Sequence, residues 1–197
     1  MRNLLCCILF LSVFIACNNR KKTGEVTYTS EDGKEKATVN TNMSETQASA
    51  MQQKAEELQK LTPVTTDELK ALLPEELMGA RRSDVQATTA TGTAMATAQY
   101  DINDSTDLSI TIWDCGGPGG AGIYSLQYVT MFSYEADSDE EYTKAIEFDG
   151  KKGIEQCSKV DKDCKLIYFG GDRYLVSLEA ENLTPDELKK ISEKVVD

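Results

Sequence analysis

The sequence predicts an α+β fold: an antiparallel β-sheet with helices packed mainly on one face, preceded by a tether that carries a hairpin and a short helix. Three observations predict it. Asp107-Leu108-Ser109-Ile110-Thr111-Ile112-Trp113 alternates apolar and polar side chains, the period-two signature of a half-buried strand. Glycine punctuation at Gly150–Lys152 and at Gly170-Gly171-Asp172 separates strand-like segments by very short turns, which makes those strands antiparallel neighbours. The same helix-start script occurs twice, as Val64-Thr65-Thr66-Asp67-Glu68-Leu69 and as Leu183-Thr184-Pro185-Asp186-Glu187-Leu188. Each reads as an apolar staple, a threonine N-cap and a glutamate that closes the capping box.

In chain order, Glu25–Thr29 and Lys36–Val39 flank Asp32-Gly33, a type I′ hairpin signal. A lone hairpin is marginal in water and must dock on something larger to persist. Ala48, Met51, Ala55, Leu58 and Leu61 then recur at helical spacing, with Ser44 and Gln47 placed as a capping box. Thr88–Thr97 is built from Ala, Thr, Gly and Met and closes on Tyr100, ahead of the strand that ends at Trp113. Ile123–Tyr134 fits either period, and a helix is preferred because a Gly-rich stretch precedes it and polar Glu135–Glu141 follow. Tyr142–Phe148, Gly153–Cys157, Lys165–Phe169 and Tyr174–Ala180 are further strands. The last helix presents Leu188, Ile191 and Val195 to one side of the sheet.

Composition narrows the function. The chain of 197 residues carries a net charge of −12, which argues against docking on nucleic-acid phosphates. It has no histidine, so Ser-His-Asp and Cys-His mechanisms and His-ligated metals are excluded. No cofactor motif stands out, and a non-catalytic role is expected.

Met1-Arg2-Asn3 is followed by 13 residues, Leu4–Ala16, that are apolar except for Ser12. A membrane span needs about 20 such residues, so this run has the length of a signal-peptide core. It ends in Phe14-Ile15-Ala16-Cys17 and switches at once to polar Asn18-Asn19-Arg20-Lys21-Lys22. This segment resembles the lipobox of bacterial lipoproteins, with Phe14 in place of the usual leucine. The resemblance implies removal of 1–16, lipidation of Cys17 and attachment to a membrane, an outer-membrane lipoprotein facing the periplasm. Acyl chains contribute about 0.8 kcal/mol per buried CH2, so two or more hold permanently. Residues 17–62 then form the tether and 63–197 the folded envelope domain. The latter is also similar to small envelope lipoproteins in carrying Pro74-Glu75-Glu76-Leu77 before Gly79 and Arg81-Arg82, a resemblance that brings no activity with it. The partner expected is another envelope protein or the cell wall.

Candidate sites are few. Gly117-Pro118-Gly119-Gly120-Ala121-Gly122 matches G-x-G-x-x-G after a strand. However, Pro118 removes a donor, and the short turns downstream do not suit a parallel dinucleotide fold. A plain connection is the simpler reading and a small-ligand loop the other. A carrier or sensor would use a pocket between helix and sheet built from Arg82, Trp113, Gly117, Gly119, Gly122, Tyr124 and Tyr128. Arg81-Arg82 and Arg173 otherwise read as surface or sheet-edge residues. Cys157 and Cys164 face each other across a turn and are expected to bond in an oxidising compartment, leaving Cys115 as a buried thiol, although its pairing with either stays open. Asp101, Asn103, Ser105 and Asp107 imitate a calcium loop, but Thr106 replaces the needed glycine and Ile112 the closing glutamate, so a polar turn is the better reading.

Overall fold

A computed structural model describes residues 25–30, 32–40, 43–90 and 92–196. The expected signal segment, residues 1–16, and the expected lipidation site Cys17 lie outside the described residues. In chain order the elements are β1 (Glu25–Thr29), β2 (Lys36–Asn40), α1 (Glu45–Gln59), α2 (Thr66–Ala71), β3 (Glu76–Leu77), β4 (Ala80–Ala90), β5 (Thr93–Asn103), β6 (Thr106–Asp114), α3 (Gly117–Ser133), β7 (Tyr134–Asp137), β8 (Glu141–Phe148), β9 (Lys151–Ser158), β10 (Cys164–Gly170), β11 (Tyr174–Ala180) and α4 (Pro185–Ser192). Among the described residues all strands join one antiparallel sheet of 11, in the order β1-β2-β7-β8-β9-β10-β11-β6-β5-β4-β3.

Alternation builds the first face. Ala96, Ala98 and Tyr100 on β5 lie opposite Ile112, Ile110 and Leu108 on β6. Those continue across to Val176, Leu178 and Ala180 on β11, and Tyr168, Leu166 and Cys164 follow on β10. All are buried. The small alanines of β5 leave room for Leu69 and Leu73 from α2 and the turn after it, while Leu188, Ile191 and Val195 from α4 and its extension complete the same core. Each fully buried leucine or isoleucine contributes roughly 1.5–3 kcal/mol. The expected capping boxes at Ser44, Thr65 and Thr184 are all formed.

The fold class expected from sequence is overturned. Strand outweighs helix, 45% against 26%, and the described residues form one large antiparallel sheet with four short helices rather than a sheet layered by helices on one face. The helices also divide between the faces. On the second face, Trp113, Ile154, Ile167, Phe169 and Leu175 lie beneath α3 (Ala121, Tyr124, Met131), and α1 adds Met51, Ala55 and Leu58. The cause is that three strands were missed: β3, β4 and β7 have polar or Ala/Thr-rich sequences whose strand character depends on neighbours. With β7 present, the β1–β2 hairpin has an edge to pair with, through Ala37 opposite Ala136. Its turn is longer than the type I′ expected. Residues 30–35 connect the strands, Gly33 alone takes a left-handed φ of 73° there among the described residues, and the Asp32 carboxylate accepts from Ser30 Oγ and the Lys34 N–H.

The helix preferred for Ile123–Tyr134 is present but starts earlier, at Gly117. The Gly-rich stretch is therefore the first turns of α3 and not a connection, with Pro118 at an early helical position where its missing N–H has no helical partner to lose. Glycine is demanded here by proximity: a Cβ on Gly120 would sit 2.4 Å from the Cys115 carbonyl carbon.

Candidate functional site

The most elaborate polar constellation lies where β6 meets α3. Asp114 follows Ile112 on the core-facing side of β6 and is fully buried. Its Oδ1 accepts from Arg173 Nε at 2.7 Å and the Gly116 N–H at 2.9 Å, and its Oδ2 from Arg173 Nη2 at 3.0 Å and the Val64 N–H at 2.8 Å. Arg173 Nη2 also donates to the Thr62 carbonyl at 2.7 Å. Burial alone would push the Asp114 carboxyl up, but the guanidinium and the two N–H groups outweigh it and hold it below the usual range. With both oxygens doubly engaged, the carboxylate has no capacity left for a substrate proton. It is a clamp that joins the segment ahead of α2, the end of β6, the start of α3 and the β10–β11 turn.

A second buried carboxylate, Glu155 on β9, joins the sheet to α4. Its Oε1 accepts from Tyr142 Oη at 2.7 Å and pairs with Lys144 Nζ at 2.9 Å. Lys189 Nζ from α4 lies 3.0 Å from Oε2, close enough for charge pairing although off the alignment of a hydrogen bond. Burial would again raise this carboxyl, and Lys144, Tyr142 and Lys189 together bring it below its ordinary value. Neither Asp114 nor Glu155 was singled out by sequence reasoning. The available signal was an acidic residue at a core-facing position of an alternating strand, which burial permits only when the charge is paired.

The pocket expected between helix and sheet is not assembled. Arg82 pairs in register with Tyr100 on the first face, and its Nη1 donates to the carbonyls of Lys70 at 2.9 Å and Leu73 at 2.7 Å, closing the end of α2. Trp113, Tyr124 and Tyr128 belong to the second face, on the other side of the sheet. There Tyr124 is buried with its ring 4.8 Å from Phe169 and 5.4 Å from Tyr128. Gly117 packs against Pro63, Gly119 sits in the first turns of α3, and Gly122 opens onto empty space. What remains of the idea is a shallow groove of about 640 Å³ lined by Tyr124, Tyr128, Met131 and Phe169 with the turns at Gly150 and Gly171. Arg173 is engaged by Asp114, as above.

Cys157 and Cys164 face each other in the β9–β10 register and form the expected disulfide. Cys115 is a buried free thiol, and burial pushes it up to about 12, far from a reactive thiolate. The calcium-like segment is the β5–β6 turn, where the Asn103 side chain accepts from Ser105 N–H at 3.1 Å.

A wider open groove lies elsewhere on the second face, away from the cluster under α1 and α3. Thr143, Gln156, Lys165, Glu179, Ser109 and Gln99 form one row across six strands. The groove there holds about 730 Å³. Thr97 and Thr111 hydroxyls lie 3.2 Å apart, and Gln99 Nε2 donates to Ser109 Oγ at 3.1 Å, so the side chains are ordered by one another. Asp107, Glu141, Asp163, Glu179 and Glu181 line the same groove as Lys165, whose Nζ lies 3.1 Å from Glu179 Oε2. A rigid backbone bearing hydroxyls, amides and carboxylates can accept and donate hydrogen bonds over a wide area, and it presents no enclosed volume for a small apolar ligand. Compared with known proteins, the chain matches no family model, no curated protein and no solved structure.

Proposed function

We propose that this is an accessory protein of the bacterial cell envelope, held to a membrane by lipid on Cys17, which binds another envelope macromolecule across the uncovered polar half of its sheet. The observation that carries the interaction is the bare row from Thr143 to Gln99, left open on a sheet whose opposite face is covered by α2 and α4. The anchor rests on the lipobox-like Phe14–Cys17. Both buried carboxylates are spent on holding elements together, which favours a binding role over catalysis. The carrier alternative loses support because Arg82 and Tyr124 lie on opposite faces.

The test places a photo-crosslinking residue at Gln156 on the bare row and, separately, at exposed Lys190 on α4, in cells retaining the native envelope. A discrete adduct from position 156 and none from 190 is expected. Recovery of free monomer from both positions overturns the interaction. Unchanged membrane partitioning of Cys17→Ala overturns the anchor.

A further inference from the structure

The outer edge of β4 is open and uncharged over its last five residues, Gln86–Ala90. β3 pairs only with Ala80 and Arg81, and the Arg82 N–H donates to the Glu75 carbonyl. Beyond them the register with β5 shifts between Ser83 and Gln86, with Asp84 in a left-handed conformation at φ 45°. Such a bulge is one of the devices that blunt an edge, but it ends at Gln86. From Gln86 to Ala90 the strand is regular against β5, and among the described residues no strand lies outside it. Those five residues contain no lysine, proline or charge. A strand edge of this kind presents outward N–H and C=O groups whose complement is another extended chain.

The identity of that chain follows from charge. In a molecule of net charge −12, two copies repel across most approaches. Residues 85–100, the regular part of β4 through most of β5, carry no charged side chain, and neither do residues 115–134, which include all of α3. The two stretches meet in space: a Cβ added at Gly92, in the β4–β5 turn, would lie 3.9 Å from the Gly119 nitrogen at the start of α3. The corner they share is where identical acidic molecules can approach with least repulsion. About Thr88 the run is also suited to a two-fold axis. Antiparallel pairing sets Thr88 against Thr88, Ala87 against Thr89 and Gln86 against Ala90, with no like charges opposed.

We infer that β4 pairs with β4 of a second copy, antiparallel about an axis near Thr88, so that the sheet continues from one molecule into the next. The contact is independent of the bare polar face proposed above. A five-residue ladder is at the small end of interfaces, so the dimer forms only at high local concentration.

The test uses the full chain in detergent, followed by sedimentation from roughly 10 µM to 1 mM and by amide hydrogen exchange at both ends of that range. Expected are a rise in mass toward dimer and slowed exchange within Gln86–Ala90 at high concentration, with no such change in β1, the opposite edge. Thr88→Lys puts two ammonium groups opposite each other and is expected to weaken association about tenfold or more, abolishing that protection. Thr88→Val keeps both effects, and Thr89→Lys repeats the charge test at a second exposed position. A mass that stays monomeric throughout, protection that appears outside β4, or a dimer indifferent to both lysine variants overturns the inference.

Discussion

Asp114→Ala is the most direct probe of what holds the molecule together. The substitution removes four accepted hydrogen bonds of 2.7 to 3.0 Å and leaves the Val64 and Gly116 N–H groups without their acceptor. It also strips the counter-charge from Arg173, whose side chain is only 21% exposed. Breaking a buried pair from one side costs about 3–5 kcal/mol. Each orphaned buried donor would add about 1–3 kcal/mol. The Thr62–Val64 segment borders solvent, so water reaches part of the vacated space, and about 3–5 kcal/mol stands for the whole effect rather than a sum. For a chain of this size that lowers the thermal midpoint by roughly 10 °C. Arg173→Met alone leaves a buried carboxylate and is expected to cost about as much. The double variant should cost less than the two singles added, with a coupling of about 2 kcal/mol. Urea unfolding of the four proteins closes the cycle. A loss below about 1 kcal/mol for Asp114→Ala, or a coupling near zero, refutes the clamp as a unit.

Two further outcomes follow from the same geometry. Gly120→Ala and Gly122→Ala should move stability in opposite directions: the first drives a Cβ into the Cys115 backbone and destabilises by about 2 kcal/mol or more, whereas the second meets nothing within 4 Å and gains up to about 1 kcal/mol of helix propensity, so equal shifts in urea midpoint would refute the placement of this stretch in α3. Asp114 and Glu155 both titrate below their ordinary range when folded, so their stabilisation is complete above the unfolded carboxylate values near 4 and is lost as pH falls through the lower folded values. The urea midpoint should therefore drop steeply on acidification below about pH 4, less so in Glu155→Gln, and a flat profile down to pH 2 would contradict the reading.

Particular elements show what a sequence can and cannot disclose. The capping boxes at Ser44, Thr65 and Thr184 are local, each closed within four residues, and they form as expected. The alternation of Asp107–Trp113 and the facing of Cys157 with Cys164 depend on one strand or one turn, and they too were legible. Strand β4 was not: Ala, Thr and Gln carry little intrinsic signal, and the segment becomes a strand because β5 offers it a ladder. The Gly-rich start of α3 read as a connection because glycine disfavours helix locally, yet the close approach of Cys115 to Gly120 requires it there.

By itself the sequence determined the antiparallel pairing of the glycine-separated strands, the capped helix starts at Ser44, Thr65 and Thr184, and the facing of Cys157 with Cys164, because each follows from a few neighbouring residues. Only the tertiary structure decided which helix covers which face, that Arg82 and Tyr124 are separated by the sheet, and that Asp114 meets Arg173 across 59 positions of chain. The physical reason is that face and partner are collective properties. A buried charge must find its counter-charge wherever the sheet order brings one, and that order, from β1 through β7 to β3, is set by all the strands at once.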